Sequence, residues 1–346
     1  MTVLSRRNLL RGGAAVSAGA LLTACTSNDP QNTAQVKAGT SDNPNAAAGQ
    51  KVVIGFSAPA ADHGWIAAIT NNAKAQAAAY PDVELKLVEA GADAAAQRAA
   101  ISTLVAQKPT VIVMLPYDGK ELDAAGLQAM QAGIPVVNLD RAFPSRGAFR
   151  LQIKGDNYGM GLAAGTYVGD QLKAKGVSSP IIGEIPGIDS LELTQERSQG
   201  FKDALNRYGF KVANRRPAEF TADSGQAAAT ALLQALPKMD AMWNHDDDQG
   251  IGVLAAIKQA NRSEFFMVGG AGSKAAIDAI SAGNSVLKAT VTYSPSMASS
   301  AISLARLIGQ GKGMSDLVEL QVPKEITLAS ETITKDNAAK YAKTGF

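Results

Sequence analysis

The chain of 346 residues contains one cysteine, Cys25, and two histidines, His63 and His245. A single thiol excludes an intramolecular disulfide and any multi-cysteine zinc site. Two imidazoles leave little material for metal or acid–base chemistry. Fourteen prolines beside 33 glycines do not make a collagenous or low-complexity chain. An excess of one charge is also missing, with 33 Lys and Arg against 31 Asp and Glu. Arg6, Arg7 and Arg11 fall in the first 24 residues, where there is no acid; without them 30 basic groups face 31 acidic ones. A body near −1 has no broad field for nucleic acid. The apolar run from Ala14 to Leu22 is too short to span a bilayer as a permanent helix.

What is present starts with an address. A basic start, that apolar run and a small-residue stop at Cys25 form an export signal over residues 1–25. Ser5-Arg6-Arg7-Asn8-Leu9-Leu10 resembles the twin-arginine signal. Leu22-Thr23-Ala24-Cys25 looks like a bacterial lipobox, which implies that Cys25 is acylated and becomes the first mature residue. Residues 26–50 are rich in small and polar residues, with Val36 the one sizeable apolar side chain. They read as a disordered tether reaching roughly 25–30 Å.

From Lys51 the chain alternates strand and helix, and its 46 % hydrophobic residues suffice for two lobes of about 120–150 residues each. Val52–Phe56, Val83–Val88, Val111–Leu115 and Ile134–Leu139 read as strands. Helices are expected over Gly64–Tyr80, Asp93–Gln107 and Gly119–Gln131, the first with Trp65, Ile66, Ile69 and Ala73 on one stripe. The rhythm restarts after Asp156, with strands at Pro180–Ile185, Lys211–Phe220, Ala241–Trp243, Phe265–Val268 and Leu287–Thr292. Continuous apolar strands separated by helices argue for parallel sheets covered on both faces. Two such units give an α/β chain of two doubly wound lobes with a crevice between them. Ligands in such sheets bind outside the carboxyl ends of the strands.

The strand-to-helix loops carry the chemistry. They hold Asp62, His63 and Trp65, then Tyr117, then Asp140 and Arg141; the second unit adds Arg197, Phe220, Asn244-His245-Asp246-Asp247-Asp248 and Tyr293. Carboxylates accept hydroxyl protons, guanidinium groups present paired donors, and rings cover the C–H faces of a sugar. That mixture suits a polyhydroxylated ligand. Trp243, inside a strand, reads as core. A calcium loop at Asp246–Asp248 would need more oxygen donors at regular spacing; part of the triplet instead caps the helix near Gly250. Gly270-Ala271-Gly272-Ser273 lacks the third glycine and the distant acid of a dinucleotide loop. No metal and no cofactor are expected.

At these residues the body, over about 51–330, resembles the ribose-binding-protein family, the solute-binding components of bacterial ABC sugar importers with the type I periplasmic binding fold. The pieces that carry the resemblance are Val137-Asn138-Leu139-Asp140-Arg141, Glu196-Arg197-Ser198-Gln199-Gly200-Phe201, Pro217-Ala218-Glu219-Phe220 and Asn244–Gly252. It implies that Asp140 and Arg141 grip sugar hydroxyls, that Arg197 is a second binding arginine, that Phe220 and Trp65 stack, and that Asp246 is a polar contact. Leu115, Ala271 and Tyr293 depart from the ribose-type amide, carboxylate and glutamine, which argues for another sugar or a linear polyol. His63, Tyr117 and Tyr293 then offer replacement contacts.

The resemblance implies an extracytoplasmic, lipid-anchored, monomeric binding protein that serves ABC permease subunits. Its lobes are expected at 51–155 plus 294–324 and at 156–293 plus 325–346, joined by three crossings near Gly155, Ser294 and Lys324. A hydrolase using Asp140 and Asp246 as a carboxylate pair is the alternative, although Arg141 beside Asp140 works against a general-acid role. A sugar-responsive repressor would need a helix-turn-helix where the export signal stands.

Overall fold

A computed structural model describes residues 45, 47–88, 90–314 and 320–346. The export segment, Cys25 and the tether up to residue 44 lie outside the described residues, as do the expectations placed on them.

The first lobe begins with β1 (Val52–Ser57), α1 (Gly64–Ala78), β2 (Val83–Leu87), α2 (Ala94–Ala106), β3 (Val111–Met114), α3 (Gly119–Gln131), β4 (Val136–Leu139) and β5 (Leu151–Gly155). The second holds α4 (Asn157–Ala174), β6 (Ile182–Ile185), α5 (Glu192–Asn206), β7 (Val212–Arg215), α6 (Ala222–Ala235), β8 (Ala241–Asn244), α7 (Asp247–Gln259), β9 (Phe266–Ala271), α8 (Lys274–Ala282) and β10 (Leu287–Thr292). The chain ends with α9 (Met297–Gly309), β11 (Glu325–Leu328), β12 (Thr332–Thr334) and α10 (Ala338–Tyr341).

The two sheets repeat one topology. The first runs β11-β5-β4-β3-β1-β2 and the second β12-β10-β9-β8-β6-β7. Every pairing is parallel except β10 with β12. The central strands β3, β4, β6 and β8 are buried along their whole length. Buried apolar side chains cover both faces of each sheet. Ile66 and Ile69 of α1 and Ile302 of α9 lie on one face of the first, Ile101 and Leu104 of α2 and Leu122 of α3 on the other. Trp243 is fully buried against Phe201, with ring centroids 4.8 Å apart. The strand order reverses between β1 and β3 and between β6 and β8. Such switch points open crevices at the carboxyl ends of the strands.

Several boundaries differ from the sequence expectation. The strand expected over Lys211–Phe220 stops at Arg215, because Pro217 has no N–H to give a ladder. β5 is followed by the strands of the second sheet, and after β10 the chain returns with α9 to pack on β1, β3, β4 and β5 of the first. The third crossing was expected near Lys324 but falls at 329–331. β11 still belongs to the first sheet, pairing with β5 from Glu325↔Gln152 to Leu328↔Gly155. Its alternating half-exposed pattern is that of an edge strand, which gave no core signal.

The segment before β1 is also pinned where a free tether was expected. Arg306 of α9, 1 % exposed, forms a two-pronged pair with Asp82, at 2.7 and 2.6 Å. Its remaining N–H groups donate to the carbonyls of Asn45 and Ala47, the latter at 2.7 Å. Gly49 N–H donates to Asp82 at 2.6 Å. The hydrogen bonds from Arg306 hold the Asp82 carboxyl well below the usual carboxylate range. A depressed acid adds stability above its unfolded value near 4 and loses it only as pH falls further. Arg306→Ala strands a buried carboxylate and should cost about 3–5 kcal/mol, lowering the melting temperature by roughly 10 °C. A shift of under about 2 °C would contradict this role.

Candidate functional site

The carboxyl-end loops of both sheets meet at one shared hollow. The first lobe lines it with His63, Trp65, Asp140 and Arg141; the second with Leu193, Arg197, Phe220, Asp246 and Ala271; Tyr293 comes from the crossing after β10. Three of the five non-glycine residues with positive φ among the described residues stand here, Asp140 at 64°, Phe220 at 63° and Ala271 at 97°. Such backbone costs of order 1–3 kcal/mol per residue and persists only where the surroundings over-determine it. Gln249 holds Phe220 by accepting its N–H at 3.1 Å. Gly187 leaves the space its ring needs, since a Cβ there would sit 1.9 Å from it.

Two buried guanidinium groups, one from each lobe, line the hollow. Arg141 donates through Nη1 to the carbonyls of Pro116 and Tyr117, and its Nε lies 4.0 Å from the Asp140 carboxylate without a hydrogen-bond partner. Burial pushes its pKa down, opposed by Asp140 and Asp62, yet an arginine keeps its charge. Arg197 donates through Nε to Asn157 at 2.9 Å and through Nη1 to the His245 carbonyl at 3.4 Å. Its guanidinium also lies 4.4 Å from the centre of the Tyr293 ring, within cation–π range. The Tyr293 hydroxyl donates to Asp140, and burial followed by the Asp140 charge raises its pKa.

A buried network stands behind Arg197. The His245 ring is fully buried, 3.8 Å from the Trp243 ring, with Nε2 2.9 Å from Glu184. Burial pushes this imidazole down to about 4, against the pull of Glu184; the neutral ring therefore donates to the carboxylate. Ser198 donates to the same carboxylate at 2.6 Å. This network fixes the carbonyl that receives Arg197. The sequence gives no signal for it, because Glu184 and His245 lie 61 residues apart.

The acidic triplet divides into three tasks. Asp246 caps α7 by accepting from Gln249 N–H at 3.0 Å and also reaches the hollow. Burial pushes its carboxyl up to about 6, with Asp248 adding and His63 opposing. Asp247 is spent on the fold. It accepts from the N–H groups of Gly270, Gly272 and Ser273 at 3.0, 2.8 and 2.9 Å and from the Thr290 hydroxyl at 2.9 Å. Asp248 accepts from Trp65 N–H in the other lobe at 2.8 Å.

Two residues expected at the site do not reach the wall of the hollow. Asp62 is exposed and bonds His63 Nδ1 from outside. Burial alone would lower the His63 pKa, but that bond and the nearby Asp246 and Asp248 charges outweigh it and raise it. Tyr117 contributes its backbone carbonyl to Arg141, while its ring packs on the apolar cluster of α2 and α3. Among the described residues, no cluster of His, Cys, Asp and Glu could hold a metal. Leu193 and Ala271 complete the wall, and no pattern in the sequence singled out Leu193. A second hollow adjoins the first and shares Asp140, Arg141 and Leu193.

Two α/β lobes joined by three crossings, with the polar hollow between them, define a periplasmic-type binding fold. The chain belongs to the periplasmic binding protein domain family, whose model matches residues 54–313. It is similar to the ribose import binding protein of Bacillus subtilis, 26 % identical over 277 residues, which span 80 % of this chain and 85 % of that one. The Escherichia coli protein of the same name is 30 % identical over 201 residues, 58 % of this chain and 66 % of that one. Among solved structures, an ABC transporter solute-binding protein from Mycobacterium smegmatis with bound glycerol superposes with a TM-score of 0.75 at 26 % identity, covering 84 % of this chain and 97 % of that one.

Asp247→Ala would leave three backbone N–H groups and a hydroxyl unpartnered in the interior. At about 1–3 kcal/mol per orphaned buried group, the loss in urea unfolding should be at least about 3 kcal/mol. A loss below about 1 kcal/mol would show that the β9–α8 loop does not depend on this carboxylate.

Proposed function

We propose that this protein is an extracytoplasmic solute-binding protein that captures a sugar or sugar alcohol between its lobes and delivers it to the permease of an ABC importer. One observation carries the reading: a buried arginine from each lobe, Arg141 and Arg197, faces the same hollow beside carboxylates and aromatic rings. Hydroxyl groups supply the acceptors that the free N–H groups lack and the donors that Asp140 and Asp246 can accept. The rings of Trp65, Phe220 and Tyr293 suit the C–H faces of such a ligand. His63 adds a polar contact at the rim. The names of the two ribose import binding relatives support an importer partner and a carbohydrate ligand.

Ala271 in the wall, and a Tyr293 hydroxyl already committed to Asp140, favour a ligand other than ribose. A buried hydroxyl of ribose would lose its partner at those positions. The hydrolase alternative is not supported. The two curated relatives are import proteins by name, Asp246 caps a helix, and Asp140 accepts the Tyr293 hydroxyl. For location we read residues 1–25 as an export signal of twin-arginine type and Cys25 as an acylated anchor, which would hold a monomeric body at the membrane. The spacing of Leu22-Thr23-Ala24-Cys25 supports this.

A thermal-shift screen against pentoses, hexoses, alditols and inositols tests the reading, since a ligand bound only by the folded state raises the melting temperature. At least one member should do so, and Arg141→Ala or Arg197→Ala should each abolish the shift without unfolding the protein. An unchanged shift in both variants would remove these residues from the site, and turnover of a glycoside would end the binding account.

Affinity should also depend on pH. With Asp246 near 6, its carboxylate form, the better acceptor, is lost below that value, so affinity rises with pH through about 6 and then levels. The loss is at most about tenfold per unit. Calorimetric titrations at pH 5 and 7.5 should differ more in the wild type than in Asp246→Asn, where the titration of His63 remains; equal pH dependence in both would exclude Asp246 as the acceptor.

A further inference from the structure

The N-terminus of α1 lacks a cap of its own. His63 stands at the capping position, but its side chain bonds Asp62 and none of the helix N–H groups, and the first turn carries no acid. The missing acceptor comes from the other lobe, where the Asp248 carboxylate in the first turn of α7 receives Trp65 N–H at 2.8 Å. Gly64 makes room for it, because a Cβ on Gly64 would lie 2.7 Å from Asp248 Oδ1. A carboxylate at a helix N-terminus is favoured by both the free N–H groups and the helix dipole. The bond therefore belongs to the arrangement in which the lobes are close and is lost when they part. Lys154 of β5 and Glu196 of α5, 3.7 Å apart, make a second contact between the lobes.

We propose that Asp248 is a positioning residue for ligand capture: by capping α1 across the crevice it biases the ligand-free protein toward closure and so sets the affinity of a site it does not line. The claim about affinity rests on the sugar-binding reading above; the claim about closure does not. A ligand that needs the closed arrangement binds with an apparent affinity reduced by the fraction of molecules that are open. A helix cap corresponds to about a twofold to thirtyfold shift in such an equilibrium.

The test is small-angle X-ray scattering of the ligand-free full chain with Asp248→Ala, Asp248→Asn, Gly64→Ala and the double variant Gly64→Ala/Asp248→Ala. Asp248→Ala should raise the radius of gyration. Asp248→Asn should restore it, because the amide oxygen still accepts from Trp65 N–H. Gly64→Ala should mimic Asp248→Ala by displacing the carboxylate, and the double variant should add nothing further. Melting temperatures of the variants should stay within a few degrees of the wild type, which separates closure from general damage. Titrations with D-ribose, D-galactose and myo-inositol should show a faster off-rate in Asp248→Ala for any that bind. Failure of all three to bind would count against the sugar-binding reading and leave the scattering result standing. Identical scattering from wild type and Asp248→Ala would overturn the proposal.

Discussion

The architecture depends on keeping two arginine side chains charged inside a crevice that excludes most water. A guanidinium group removed from water is tolerable only where oxygen atoms and aromatic faces replace its hydration. Here each has partial compensation. Arg141 has the Pro116 and Tyr117 carbonyls and the Asp140 carboxylate; Arg197 has Asn157, the His245 carbonyl and the face of Tyr293. The compensation is incomplete, since Arg141 Nε is buried without a hydrogen-bond partner. The same incompleteness that costs stability leaves donors ready for hydroxyl oxygens.

The loops around these arginines show how the protein sustains that arrangement. Positive φ at Asp140, Phe220 and Ala271 turns three side chains into the wall of one hollow. Each loop is clamped from behind. Asp140 N–H donates to Ile153, Phe220 N–H to Gln249, and Asp247 gathers the N–H groups on either side of Ala271. Local strain is thus held by bonds to neighbouring strands and helices, which is how a binding wall stays formed before a ligand arrives.

Much of this was legible in the sequence, for identifiable reasons. Central strands such as Val111–Met114 and Val136–Leu139 are apolar throughout because helices cover both faces, so the α/β reading followed. Asp140 and Arg141 stood out at the end of an apolar strand, and Arg197 and Phe220 through the segments that carry the family resemblance. Edge elements were harder: β11 is half exposed, and β12 has three residues. The tasks of Asp247 and Asp248 could not be read locally, since their partners Thr290 and Trp65 lie 43 and 183 residues away. Asp62 and Tyr117 were placed correctly in loops, but loop backbone decides where a side chain points, and composition does not.

The central claim is that one small polyhydroxylated molecule lies between the lobes and is held from both. A crystal structure of the protein grown with the sugar or alditol that stabilises it most addresses this directly. The account predicts that molecule in the hollow, with ligand hydroxyls within hydrogen-bond distance of Arg141 and Asp140 on one side and of Arg197 on the other. A ligand seated on one lobe alone, or bound outside the crevice with both guanidinium groups untouched, would contradict it.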